Sequence, residues 1–103
     1  MDITIIIPLL NEEESLPELH AWIVRVLEKA QLSFELIFVD DGSTDHSWKI
    51  IEQLSNQHPS TQGIRFSRNF GKSQALHAGF EQAIGNVVFT MDADLQDSPD
   101  ELP

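Results

Sequence analysis

Four short apolar runs mark the chain: Ile3–Ile7, Phe34–Val39, Gly63–Phe66 and Asn86–Met91. The first, second and fourth are nearly continuous in Ile, Val, Leu and Phe, as expected of strands covered on both faces. Between them the period lengthens. Leu16, Leu19, Ile23, Val26 and Leu27 keep one helical face, and Ser15-x-x-Glu18 reads as a capping box, with Pro17 tolerated in the first turn. A second helix is predicted from about Asp45 to Asn56, with Trp48, Ile51 and Leu54 inward and Ser43 or Thr44 as its cap. A third runs from about Lys72 to Ile84, with Gly85 as C-terminal cap and small Ala75, Gly79 and Ala83 toward the sheet. Strand and helix alternate throughout. That order implies an α/β fold: an open, mostly parallel, Rossmann-like sheet with alternating helices and right-handed crossovers.

At 103 residues the chain makes one domain, spanning 1–103. Its 41% hydrophobic and 22% charged content is that of a globular protein. A net charge of −11 disfavours nucleic acid as a partner. Arg65, Arg68 and Lys72 form a local cationic spot in this acidic background. With no cysteine, disulfides and thiolate metal sites are excluded, and a cytoplasmic setting is compatible. The apolar stretch Ile3–Leu10 is too short to span a bilayer and lacks the basic flank of a secretory leader. His20, His46, His58 and His77 are scattered, and we assign them to surface or core packing.

Each predicted strand is followed by a polar cluster. These are Pro8, Asn11 and Glu12; Asp40-Asp41-Gly42-Ser43; Ser67-Arg68-Asn69-Phe70-Gly71-Lys72; and Asp92-Ala93-Asp94-Leu95-Gln96-Asp97. In an open parallel sheet all strand C-termini share one edge, where ligands bind. The four clusters therefore meet on one rim. Carboxylates one residue apart, as in Asp92-x-Asp94, suit Mg²⁺ or Mn²⁺, which take oxygen ligands and leave positions for phosphates. Alone such a pair also serves as a turn former. Gly71-Lys72-Ser73 is not a Walker motif, because the required earlier glycine is missing.

The ordered set Pro8-Leu9-Leu10-Asn11-Glu12, Val39-Asp40-Asp41-Gly42-Ser43, Ser67-Arg68-Asn69-Phe70-Gly71-Lys72 and Met91-Asp92-Ala93-Asp94-Leu95-Gln96-Asp97 resembles the N-terminal half of family 2 glycosyltransferases of the GT-A fold. Within that family it looks like the dolichyl- or polyprenyl-phosphate sugar transferases. The resemblance implies an inverting, metal-dependent transferase using a nucleotide-diphosphate-sugar donor and a polyprenyl phosphate or growing glycan as acceptor. It implies that Pro8, Asn11 and Glu12 border the base and ribose, and that Asp40 or Asp41 accepts hydrogen bonds from them. Gly42 would allow close backbone approach, and Lys72 with Arg68 would offset phosphate charge. Asp92, Asp94 and Gln96 would gather around Mg²⁺ or Mn²⁺. The position two after Pro8, often Tyr in the family, is Leu10 here. No catalytic base is assigned; Asp97 and Asp100 are candidates by position only.

Family members continue into an acceptor half, often with membrane helices. The expectation is therefore a donor-binding part, inactive alone, whose full-length form works at the cytoplasmic face of a membrane. An uncovered sheet edge would favour self-association. Three other readings compete: an inactive nucleotide- and metal-binding module, a receiver-type signalling domain and a sugar nucleotidyltransferase. The receiver wants its acidic pair after the first strand, and the nucleotidyltransferase a Gly-rich loop there; Pro8–Glu12 offers neither.

Overall fold

A computed structural model of the protein describes residues 1–93. Strands β1 (Ile3–Leu9), β2 (Phe34–Asp40), β3 (Thr61–Arg65) and β4 (Val87–Thr90) alternate with helices α1 (Leu16–Lys29), α2 (Ser47–Gln57) and α3 (Lys72–Gln82). All pairings are parallel, in the order β3-β2-β1-β4. The α/β expectation holds. So does its reason, since β1 and β2 are buried almost throughout, as only interior strands of a two-sided layer are.

Alternate residues serve the two faces. Ile3, Ile5, Ile7 and Leu9 of β1, with Leu36 and Phe38 of β2, pack under α1 and α2 against Leu16, Leu19, Ile23, Leu27 and Ile51. Ile6, Ile37 and Val39 pack with Ala75 beneath α3. There the small residues are needed: a side chain on Gly79 would begin 2.4 Å from Ile6 Cγ2.

Several local expectations are corrected. β4 is shorter than Asn86–Met91 and only partly covered. Among the described residues it pairs with β1 alone. Ser15 precedes α1 but does not cap it, because its backbone is already helical (φ −90°, ψ −20°) and aims the hydroxyl elsewhere. α2 starts two residues later than expected and is not capped by Ser43 or Thr44. Asp45 Oδ1 instead accepts the Ser47 N–H at 2.9 Å. α3 ends at Gln82, two residues early, with extended Ala83 after it. Gly85 is no helix cap. It lies against the start of β1, where an added Cβ would sit 2.5 Å from Thr4 N, and its N–H donates to Thr4 Oγ1 at 2.8 Å.

Candidate functional site

Because β2 and β3 lie on one side of β1 and β4 on the other, the chain reverses direction across the sheet between β1 and β4. Connections diverge there and leave a crevice at the strand ends. Two adjoining hollows of about 160 and 70 Å³ open at that place, sharing Pro8, Lys72 and Asp92. Leu9, Leu10 and Asp41 complete the wall of the larger. The predicted rim thus exists, and it gathers residues that follow β1, β2 and β4 with the first residue of α3.

The Asp40-Asp41 pair divides its work by strand alternation. Asp40 is fully buried. Its Oδ1 accepts the Ser43 N–H at 2.8 Å, and Oδ2 has no hydrogen-bond partner among the described residues. Asp41 reaches the hollow, and its carboxylate accepts two backbone N–H groups, Phe70 at 2.8 Å and Gly71 at 3.1 Å. Asp41 therefore fixes the loop that launches α3, and with it Lys72. Gly42 completes this joint at φ +86°, where a Cβ would lie 2.4 Å from the Arg68 carbonyl carbon. Its close approach is made to the chain's own 67–71 loop.

The first loop is built differently from expectation. Asn11, at φ +54°, accepts at Oδ1 from the Thr44 N–H (2.9 Å) and the Asp45 N–H (3.3 Å), and its own N–H donates to Ser43 Oγ (2.9 Å). The Glu12 N–H donates to Ser47 Oγ at 3.0 Å. Asn11 and Glu12 thus tie the first loop to the second, and neither lines the two hollows. Nor does Arg68, whose guanidinium lies 4.7 Å over the Phe70 ring. Burial pushes the Asp45 carboxyl up, but hydrogen bonds from Ser47 and the Glu13 N–H outweigh it and hold the group below its ordinary value.

Within the larger hollow Lys72 Nζ donates to Asp92 Oδ1 at 2.9 Å. Both side chains are about half exposed, so the pair contributes at most about 1 kcal/mol and can be rearranged cheaply. Asp41 and Asp92 against Lys72 leave the wall with one net negative charge. Asp92 is the one expected metal ligand within the described residues; Asp94 and Gln96 lie outside them, as do Asp97 and Asp100. No three His, Asp or Glu side chains converge on a common point among the described residues. The donor chemistry nevertheless fits Mg²⁺ or Mn²⁺, since Asp92 presents a carboxylate to a polar, open hollow.

Sequence reasoning missed Ser15, whose Oγ lies 2.6 Å from the Ala93 carbonyl oxygen. Its fit to a capping box hid the long-range contact. Of the histidines, His20 is buried, with Nε2 2.8 Å from Thr61 Oγ1 and its ring 4.6 Å from that of His58. His46 and His77 are exposed.

Comparison with known proteins agrees with this fold. Over 102 residues the chain is 43% identical to undecaprenyl-phosphate 4-deoxy-4-formamido-L-arabinose transferase of Proteus mirabilis, covering 98% of this chain and 31% of that protein. The enzyme of the same description from Pectobacterium atrosepticum is 42% identical over 103 residues, with 99% and 32% covered. The chain thus spans about a third of the length of these relatives. Among solved structures, mannosyltransferase PcManGT of Pyrobaculum calidifontis, in complex with GDP-Man and Mn²⁺, superposes with a TM-score of 0.79 at 26% identity, covering 89% of this chain and 27% of that one. S. aureus TarS in complex with UDP-GlcNAc gives 0.74 at 28% identity, covering 91% and 27%. The family model for glycosyl transferase family 2 matches residues 4–103. With nearly its whole length inside that match, the chain belongs to glycosyl transferase family 2.

Proposed function

We propose that the rim at the β1–β4 crevice is the donor site of an inverting glycosyltransferase, binding a nucleotide-diphosphate sugar with Mg²⁺ or Mn²⁺. The observation that carries this reading is the convergence of Asp41, Lys72 and Asp92 on one hollow at the switch point of the sheet. A wall with net negative charge repels a diphosphate unless a cation intervenes. Asp92, Asp94 and Gln96 would hold that cation. When bound, it would act as a Lewis acid on the charge growing on the leaving diphosphate, a contribution of several kcal/mol.

The chain's own groups supply the rest. Lys72, at the first turn of α3, offers a second positive charge together with the N-terminal end of the helix dipole. Its ion pair with Asp92 is half exposed and weak. Pro8, Asn11 and Glu12 form or brace the side toward base and ribose, Asp40 with Gly42 supports the second loop, and Arg68 adds charge beside it. Two relatives named as undecaprenyl-phosphate sugar transferases support a polyprenyl phosphate as acceptor. Such an acceptor is already anionic and needs no base to ionise it. It also sits in a membrane, so the reaction belongs at a membrane surface, on this reading the cytoplasmic one. No helix among the described residues is long and apolar enough to cross a membrane.

Calorimetric titration of UDP, GDP and dTDP, each with and without Mn²⁺, tests the proposal. At least one nucleotide should bind more tightly with Mn²⁺, and Asp94→Ala, with its fold intact, should lose that enhancement. Metal-dependent binding unchanged in Asp94→Ala would sink the ligand assignment.

A further inference from the structure

We propose that Ser15 is a positioning residue that ties the residues around Asp92 to the first loop through the Ala93 carbonyl. A serine at the start of a helix ordinarily turns its hydroxyl onto the helix's own N–H groups, which is worth about 1 kcal/mol. Ser15 forgoes this, and no side-chain cap bond is made to α1. Its Oγ has one proton and three oxygens in reach: Ala93 O at 2.6 Å, Glu12 Oε2 at 3.1 Å and Glu12 O at 3.3 Å. The shortest contact takes the proton, so the hydroxyl donates across 78 positions of sequence to the residue between Asp92 and Asp94.

That carbonyl belongs to the peptide unit joining Ala93 to Asp94. Peptide units are planar and rigid, so holding the oxygen fixes the orientation of the Ala93 carbonyl. Met91 and Ala93 are held in further ways. The Met91 N–H donates to Ile6 O at 3.0 Å, and the side chains of Met91 and Ala93 are buried in the main core. Core packing sets the depth of Met91 and Ala93, and Ser15 orients the Ala93 carbonyl. The same hydroxyl touches Glu12 of the first loop, so two parts of the rim share one anchor.

This inference rests on the proposed donor site, and its test separates the two. The first measurement is ligand-free: the ¹³C carbonyl shift of Ala93 in wild type, Ser15→Ala and Ser15→Thr. Loss of the hydrogen bond should move that shift in Ser15→Ala and leave it near wild type in Ser15→Thr. The second is the Mn²⁺ dependence of nucleotide binding by calorimetry. Partners that orient metal ligands typically contribute 10- to 100-fold in affinity. Ser15→Ala should therefore weaken Mn²⁺-dependent binding about 10-fold, leave metal-free binding and thermal stability nearly unchanged, and be rescued by Ser15→Thr. Wild-type binding retained in Ser15→Ala, or an unmoved Ala93 shift, overturns this inference alone. Absence of any Mn²⁺ enhancement in wild type instead overturns the donor-site reading on which it stands.

Discussion

His20 shows what burial does to a single side chain. Desolvation first, and the charge of nearby His58 second, lower its pKa to about 4 from the ordinary 6.5. The folded protein thus holds it neutral where the unfolded chain takes up a proton. The unfolded state then binds more protons between pH 6.5 and 4, so stability falls as pH drops through that window. Carboxylates with lowered pKa, Asp2 and Asp45, begin to lose their contributions only at lower pH. Urea denaturation from pH 7 to 4.5 should show a falling midpoint in wild type and a flatter profile in His20→Gln. Equal slopes would contradict the account. Residue roles were the least legible part of the sequence, because a short polar side chain can serve several partners. Asn11 binds the second loop, Gly42 yields to Arg68, and Ser15 reaches Ala93. None of these choices follows from local spacing.

Elements were far more legible, since apolar period and length decide them. The strands and helices appear in the predicted order, with ends displaced by a few residues where tertiary contacts win. The bond that anchors the chain just beyond α3 is one such contact. Buried Glu35 of β2 accepts from Thr4 Oγ1 (2.6 Å), the Ile84 N–H (2.7 Å) and Gln62 Nε2 (3.0 Å), tying three strands to the segment that leaves α3. Glu35→Ala should cost about 1 kcal/mol for each hydrogen bond it removes. Amide exchange at Ile84 and Gly85 should accelerate, while metal-dependent nucleotide binding at the opposite end of the strands persists. Unchanged protection of Ile84 would show that the network is not the anchor. Strand order, invisible in the sequence, decides between competing folds: β3-β2-β1-β4 is the dinucleotide-type half, whereas a receiver-type sheet places its first strand between the second and third.

At the scale of the molecule, parallel topology converts four separated motifs into one rim. The four clusters are legible in the sequence as strand-end features, because every strand of a parallel sheet ends on the same edge. Which residues face the crevice and which brace it is not legible there. That division depends on side-chain alternation at Asp40 and Asp41 and on loop-to-loop hydrogen bonds. The central claim is that the metal-bearing donor site lies at the C-terminal ends of β1, β2 and β4. Substoichiometric Mn²⁺ added with UDP or GDP, read by paramagnetic broadening in the ¹H–¹⁵N spectrum, tests it most directly. β1 is seven residues long, roughly 20 Å from end to end, enough to separate the two edges of the sheet. The amides of Leu10, Asp41, Lys72, Asp92 and Ala93 should broaden first, while those of Glu35, Ile84 and Gly85 stay sharp. Broadening centred on Glu13, Glu14 and Asp45, or spread evenly over the acidic surface, would contradict the account.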